Sequence, residues 1–118
     1  MNAPNRMDHT ITKDDDCVVI ALRGDIDLNY SSQAREVLLR VADKAPAVVV
    51  DLSGVGMIDS SGVASLLEAL QGSRKRGKRF ILAAVHPSVD RVLKLARLET
   101  VFEIADDVDA AKRSLAKA

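Results

Sequence analysis

Three consecutive residues that can do chemistry, Asp59, Ser60 and Ser61, stand where a strand pattern gives way to a helix pattern. The apolar residues that follow have the spacing of one helix face: Val63, Leu66, Leu67 and Leu70. The first N–H groups of a helix have no partner inside the helix, and the aligned peptide dipoles add partial positive charge there. A helix that begins at this triplet therefore favours hydroxyl groups, carboxylates and phosphates at its amino end.

The triplet has more capping groups than a helix needs. Asp59, Ser60 and Ser61 are each competent N-caps, and capping is the ordinary role of such residues. One cap residue is enough, so at least one of the three side chains is left to face outward. A free hydroxyl at an anion-favouring helix end is a candidate phosphate acceptor.

Hydrolysis by a serine nucleophile is a less favoured alternative. Ser60 follows a strand and precedes a helix, as the nucleophile of a GxSxG turn does, but the flanking glycines are missing. The candidate base, His86, stands beside Pro87, where a role at a helix start is the simpler interpretation. A hydroxyl without a placed base is a weak nucleophile, so we expect a binding protein with no catalytic residue.

The sequence carries no pattern for a metal or a cofactor. His9 and His86 are isolated, and neither a Cys-x-x-Cys nor a His-x-x-x-His spacing occurs. Gly54, Gly56 and Gly62 match neither GxGxxG nor GxxxxGKS/T, the loop types that hold phosphates. We therefore predict no metal site and no cofactor.

The composition is that of one globular domain with an aliphatic core, because 47% of the 118 residues are hydrophobic and only 3% are aromatic. Lys and Arg together number 17, as do Asp and Glu, so no net charge attracts nucleic acid or an anionic membrane. No apolar run approaches the roughly 20 residues of a membrane span. Residues 1–8 form a polar leader without the features of a secretory signal. We expect a cytoplasmic protein in which the lone Cys17 is a buried structural thiol.

Strand and helix patterns alternate along the chain. The predicted strands are 10–13, 17–22, 47–52, 79–85 and 100–104, and glycines and carboxylates predict loops at 23–29 and 53–56. The predicted helices run from 30–32 to before Pro46, from the triplet to about 76, from Pro87 to about 96, and over 106–118. The third helix has Val89, Val92, Leu93 and Ala96 on its apolar face, and the fourth has Val108, Ala111 and Leu115. This order predicts an α/β sandwich over residues 9–118, with a mixed, mostly parallel sheet of four to five strands and about four helices.

A run of cations follows the triplet helix: Arg74, Lys75, Arg76, Lys78 and Arg79. Cations at a helix C-terminus complement the dipole and solvate an exposed end, which is the favoured interpretation. A patch for a partner is the alternative.

Two motifs resemble those of a known family. DLSGVGMIDSSGVASLL, with RGDID about thirty residues earlier, resembles the anti-sigma factor antagonists of bacteria, small proteins built of a single STAS domain. The match is close over residues 24–27, where the family has glycine, acidic, apolar, aspartate, and over residues 57–62, which match its phosphorylation motif. The resemblance in element order extends from about His9 to Leu115.

The resemblance implies a partner switch. In the family, the unphosphorylated antagonist binds an anti-sigma factor that is itself a GHKL-type serine kinase, and the sigma factor is released. The kinase phosphorylates the first hydroxyl residue after the aspartate, which is Ser60 here, and a PP2C-type phosphatase reverses this. We expect Ser61 to be the helix cap, because it directly precedes Gly62, and we expect Asp59, Ser61 and Gly62 to lie at the partner contact.

Asp27 is a candidate for a second contact, because its loop leaves a strand expected to neighbour the motif strand. A turn carboxylate that caps local N–H groups is an equally good interpretation.

The family also contains members that are never phosphorylated, including scaffold subunits and small components of lipid-transport systems, and several keep a serine at this site. A non-phosphorylated scaffold or transport subunit is therefore the alternative function.

Overall fold

A computed structural model describes residues 7–14 and 16–116, and within them five strands form one sheet in the order β1-β2-β3-β4-β5. Strand β1 is antiparallel to β2, whereas β2, β3, β4 and β5 run parallel to one another. This confirms the mixed, mostly parallel sheet with four helices that the sequence predicts. The elements are β1 (Asp8–Lys13), β2 (Val18–Ile26), α1 (Ser31–Lys44), β3 (Val48–Ile58), α2 (Ser60–Lys75), β4 (Phe80–Ala83), α3 (Pro87–Leu95), β5 (Glu103–Ala105) and α4 (Val108–Ala116).

The central strands are buried on both faces, as their apolar runs predict, although Asp51 interrupts the run of β3. On one face, Val48, Val50 and Leu52 of β3 belong to the larger core cluster, which α1 and α2 cover. On the other face, Val49 packs with Cys17, Ile81 and the fully buried Ala111 of α4. Cys17 is a buried free thiol packed in this second cluster, as predicted, and burial raises its pKa.

Strands β2 and β3 both continue through segments that the sequence predicts to be loops. Residues 23–26 pair in parallel with residues 54–58, with Asp25 opposite Met57 and Ile26 opposite Ile58. The loop predictions for 23–26 and 53–56 are therefore wrong. Gly24 has a φ of 93° and lies at the register shift between Arg23 and Asp25, so this glycine permits an irregularity within the strand rather than ending it.

The chain termini and the shorter elements differ from their predicted bounds by a few residues. Strand β1 begins at Asp8, and Met7 is buried, so the predicted leader overlaps the fold at these two residues, while 1–6 lie outside the described part of the chain. Strand β5 begins at Glu103 rather than at residue 100. Helix α3 ends at Leu95, which leaves Ala96 exposed instead of inward. The inward face predicted for α4 is confirmed, since Val108 and Leu115 pack beside Ala111.

The cations after α2 hold neighbouring elements together. Arg76 forms an ion pair of 2.7 Å with Asp43 at the end of α1, and Lys78 Nζ donates to the Asp43 carbonyl over 3.0 Å. Arg74 donates to the Val101 carbonyl over 2.9 Å. Arg79 pairs with the Glu103 carboxylate of β5 and donates to the Ser114 hydroxyl of α4 over 2.7 Å. These contacts favour a structural role for the cluster over a patch for a partner.

Within the described residues no helix is long and apolar enough to cross a membrane.

Candidate functional site

The carboxylate of Asp59 organises the point where β3 ends and α2 begins. Its Oδ1 accepts from the backbone N–H of Ser61 over 3.0 Å, from that of Gly62 over 3.1 Å and from the Ser61 hydroxyl over 2.6 Å. Its Oδ2 accepts from the Leu28 N–H over 3.0 Å, across the gap to the end of β2. Asp59 is therefore the N-cap of α2, and the prediction that Ser61 is the cap is wrong.

These hydrogen bonds stabilise the ionised form of Asp59. The hydroxyl of Ser61 contributes most to a lowered pKa of the Asp59 carboxyl, and the N–H groups of Gly62, Leu28 and Ser61 add to it against a smaller opposing effect of burial. The helix end thus carries a fixed negative charge at neutral pH.

Gly62 permits helix α2 to approach strand β2 closely. A Cβ at this position would stand 2.4 Å from the Ile26 carbonyl oxygen and 2.5 Å from Ile58 Cγ1. Gly62 is buried, as are both isoleucines. The glycine of the motif is thus required for packing at this end of the sheet, and Ser61 serves the network of Asp59.

Ser60 differs from both of its polar neighbours. It is exposed in the first turn of α2, and no hydrogen bond of its side chain is found among the described residues. Because Asp59 supplies the cap and Ser61 supports it, the Ser60 hydroxyl is left at the surface. This is the outward-facing hydroxyl that the redundancy of the triplet predicts.

Asp27 lies close to the site but is engaged in its own turn. Its Oδ1 accepts from the Asn29 N–H over 2.9 Å, and its carbonyl accepts from the N–H groups of Tyr30 and Ser31 over 3.0 and 2.8 Å. These bonds match the interpretation of Asp27 as a turn carboxylate. Its role as a second partner contact stays a prediction.

His86 is occupied at the start of α3, as its position beside Pro87 predicts. Its Nδ1 accepts from the Ser88 N–H over 3.2 Å and lies 2.8 Å from the Ser88 hydroxyl, which in turn donates to the Gly56 carbonyl over 2.5 Å. Among the described residues, no hydrogen bond joins this imidazole to Ser60. In the described part of the chain His86 is therefore engaged with Ser88 and is not placed as a base for Ser60. Within 7–14 and 16–116, no three His, Cys, Asp or Glu residues converge in a group that could hold a metal ion.

The sequence reasoning missed two apolar residues beside the site. Leu28 is 77% exposed, directly after Asp27, and Met57 is 39% exposed, two residues before Asp59. The bond from Leu28 N–H to Asp59 and the pairing of β2 with β3 bring both residues to the same end of the sheet as Ser60. The available signal was a leucine within the polar segment RGDIDLN.

Solved structures with the same architecture come from several bacteria. An anti-sigma factor antagonist from Mycobacterium paratuberculosis is 26% identical, with a TM-score of 0.86 over 98% of this chain and 99% of that one. An anti-sigma-factor antagonist (STAS) domain protein from Planctomyces limnophilus is 21% identical, with a TM-score of 0.82 over 92% and 97% of the two chains. The Bacillus cell fate determinant SpoIIAA in its phosphorylated form is 21% identical, with a TM-score of 0.69 over 91% and 99%.

The family profile of the STAS domain matches residues 9–111, which agrees with the extent of the resemblance seen in the sequence. The chain therefore belongs to the STAS domain family, and the match spans most of its length. The antagonists named above are regulatory proteins rather than enzymes.

Proposed function

We propose that this protein is an anti-sigma factor antagonist whose unphosphorylated form binds an anti-sigma factor/serine kinase, and that phosphorylation of Ser60 switches this binding off. The proposal rests on one observation, namely that the three polar residues at the start of α2 differ in their contacts. Asp59 and Ser61 bind each other and the backbone, whereas Ser60 is exposed. An exposed hydroxyl on a fixed helix end is accessible to a kinase without unfolding.

A phosphate at Ser60 is compatible with the fold but not with a docked partner. The phosphate would stand at a helix N-terminus, where the dipole favours negative charge. The N–H groups of Ser61 and Gly62 are already bonded to Asp59, so they are not available to neutralise it fully. Adding roughly two negative charges beside an ionised Asp59 would repel an acidic surface and would leave an unpaired charge in a desolvated contact.

The apolar neighbours of Ser60 support a docking surface at this end of the sheet. Leu28 and Met57 are large apolar side chains that are exposed at the same end of the sheet as the acceptor. Exposed apolar groups that flank a polar site are typical anchors of an interface. We therefore assign the contact surface to Leu28, Met57 and Ser60. Asp59, Ser61 and Gly62 lie behind this surface and fix the position of the helix end that carries Ser60.

The proposal includes the remaining components of the switch. The partner kinase would be of the GHKL type, a PP2C-type phosphatase would restore the hydroxyl, and the exchange would take place in the cytoplasm, where a sigma factor acts. These assignments follow the family resemblance of the motif at residues 57–62. They require neither a cofactor nor a metal bound to this chain.

The test is a titration of the cognate kinase, recovered by pull-down from the native cytoplasm and identified by mass spectrometry. Ser60→Ala should bind at least as tightly as the wild type, because the surface stays uncharged. Ser60→Asp places a second carboxylate beside Asp59 and should weaken binding by about 2 kcal/mol, roughly thirtyfold. Intact-mass and fragment spectra after incubation with ATP should show one phosphate, on Ser60.

Ser32→Asp is the matched control, since Ser32 is an exposed serine in the first turn of α1. It should leave the affinity within about twofold of the wild type. Equal affinities of the alanine and aspartate variants at Ser60 would contradict the switch. A partner that binds Ser60→Asp normally and transfers no phosphate would instead favour a non-phosphorylated scaffold or transport subunit.

A further inference from the structure

A cleft of about 370 Å³ opens between strand β1 and the last turn of α1, at the opposite end of α1 from the serine site. Ile11 and Lys13 lie on one face of β1, because residues two apart share a face of a strand. Val18 of β2 pairs directly with Lys13 and lies on that same face. The volume falls in the range of clefts that bind small molecules.

The floor of the cleft is apolar. It is formed by Ile11, Val18, Val41 and Ala45, of which Val18 and Ala45 belong to the main core cluster and Val41 packs against it. Ile11 stays 36% exposed, although it is a large apolar residue on an otherwise polar strand. An apolar chain that covered this floor would remove exposed hydrocarbon from water.

The rim of the cleft is cationic. Lys13, Arg40 and Lys44 line it and are exposed. No ion pair of these three is found in the described part of the chain, although six other basic residues are paired: Arg23, Arg35, Arg76, Arg79, Lys94 and Lys112. The acidic residue of the lining, Asp14, forms an ion pair of 3.0 Å with Lys112, which offsets its charge.

We propose that this cleft binds an anionic amphiphile of the fatty-acid class, with its hydrocarbon chain on the apolar floor and its carboxylate between Lys13, Arg40 and Lys44. Both halves of the ligand have a counterpart in the lining. A simple anion would leave the floor uncovered, and a neutral hydrocarbon would leave the three cations without a partner. The site is independent of the function proposed for Ser60, since the two lie at opposite ends of α1.

The test is a titration of ¹⁵N-labelled full-length protein with decanoate, kept below its micelle concentration and followed by amide chemical shifts. Saturable shifts should concentrate at Ile11, Val18, Val41 and Ala45. Decanol, which has the same chain without the charge, should bind at least about fivefold more weakly. Decyltrimethylammonium should bind more weakly still, and inorganic phosphate should give no shifts at the floor residues.

The variants R40Q/K44Q and K75Q/R113Q form a matched pair, since each removes one Lys and one Arg from exposed positions. The first pair should weaken decanoate binding about fivefold, whereas the second should change it less than twofold. Lys13→Gln tests the same rim from the strand side and should give a smaller loss. Thermal melts of each variant show that the fold is kept.

Three results would overturn the proposal: no saturable shifts, equal binding of decanoate and decyltrimethylammonium, or equal losses in the two double variants. Ser60→Asp should bind decanoate as the wild type does. This arm separates the two proposals, because a failed switch at Ser60 would leave the cleft result unchanged, and a failed cleft result would leave the switch unchanged.

Discussion

Helices α1 and α2 both begin with two serines at the same edge of the sheet, but their amino ends are built differently. The end of α2 is capped by the side chain of Asp59, which leaves Ser60 exposed. The end of α1 follows Tyr30, whose side chain makes no cap hydrogen bond, and Ser31 is buried with 8% exposure. The first serine is thus available in one helix and enclosed in the other.

The two ends also differ in what they depend on. The end of α2 is held by its own cap and by the close approach of Gly62 to β2. The end of α1 is held by the Asp27 carbonyl, which accepts from the Ser31 N–H, and also by α2, because the buried Ser65 hydroxyl lies 3.0 Å from the Ser31 carbonyl and 3.1 Å from the Ser61 carbonyl. Exposure of a hydroxyl at a helix start is therefore set by the residues that satisfy the backbone around it, and not by the serine pair itself.

The largest effect on stability is expected at Gly62. Gly62→Ala would place a Cβ within 2.5 Å of both the Ile26 carbonyl and Ile58, so the start of α2 must move away from β2. We expect a loss of about 2–3 kcal/mol in the free energy of unfolding, measured by urea denaturation.

Gly72→Ala is the control, because it makes the same substitution in the same helix. Its Cβ would meet Arg76 Nη1 at 3.6 Å, an ordinary contact, and alanine is the better helix former. A gain of about 0.5–1 kcal/mol is therefore expected. Losses of similar size in the two variants would show that close packing does not fix the end of α2.

The order of the elements was predictable from the sequence because it depends on local patterns. The aliphatic run of β3, the helix face from Val63 to Leu70 and Pro87 at the first turn of α3 each identify their element within one window. The extension of β2 and β3 was not predictable in this way. Residues 54–58 are strand because 23–26 pair with them, and a pairing between distant segments leaves no local signal.

The sequence predicts where the site lies but not which residue caps the helix or which apolar residues flank it. A free hydroxyl is expected because the triplet has three possible cap residues and α2 needs one, and in the structure Ser60 is exposed. Which residue caps the helix depends on the angle at which β3 enters α2, and Asp59 has the extended conformation of a cap residue. The exposure of Leu28 and Met57 depends on how two strand ends meet, so composition alone does not reveal it.

Asp59→Ala tests whether the cap, rather than the serine pair, defines the end of α2. It removes the acceptor for the N–H groups of Ser61, Gly62 and Leu28, and we expect a loss of about 1–2 kcal/mol at pH 7. Asp27→Ala removes a single side-chain bond at the turn before α1, to Asn29, and should cost less. The reverse order in urea denaturation would contradict the comparison.

The contribution of Asp59 should also depend on pH. Its pKa is lowered in the folded protein, so its ionised form stabilises the fold above the unfolded pKa of about 3.9, and this stabilisation is lost as the pH falls through the folded pKa. Asp59→Asn keeps an oxygen acceptor but cannot ionise. The stability difference between wild type and Asp59→Asn should therefore shrink on acidification from pH 7 towards pH 2–3. A difference that grows over this range would contradict the role of the carboxylate.

The last prediction concerns the link between the two helix ends. Ser65→Ala removes the hydroxyl that joins α2 to the Ser31 carbonyl, whereas Ser73→Ala removes a fully buried hydroxyl of the same helix that has no hydrogen-bond partner among the described residues. Alanine improves helix propensity equally at both sites, so the difference between the variants isolates the hydrogen bond. We expect Ser73→Ala to be the more stable of the two by about 1–2 kcal/mol, because a bonded hydroxyl contributes roughly 1 kcal/mol and an unbonded buried one is a cost.

Amide exchange should then be faster in the first turn of α1 in Ser65→Ala, with little change at Ser61. Equal stabilities, or a change confined to α2, would show that α1 does not depend on α2 for its amino end.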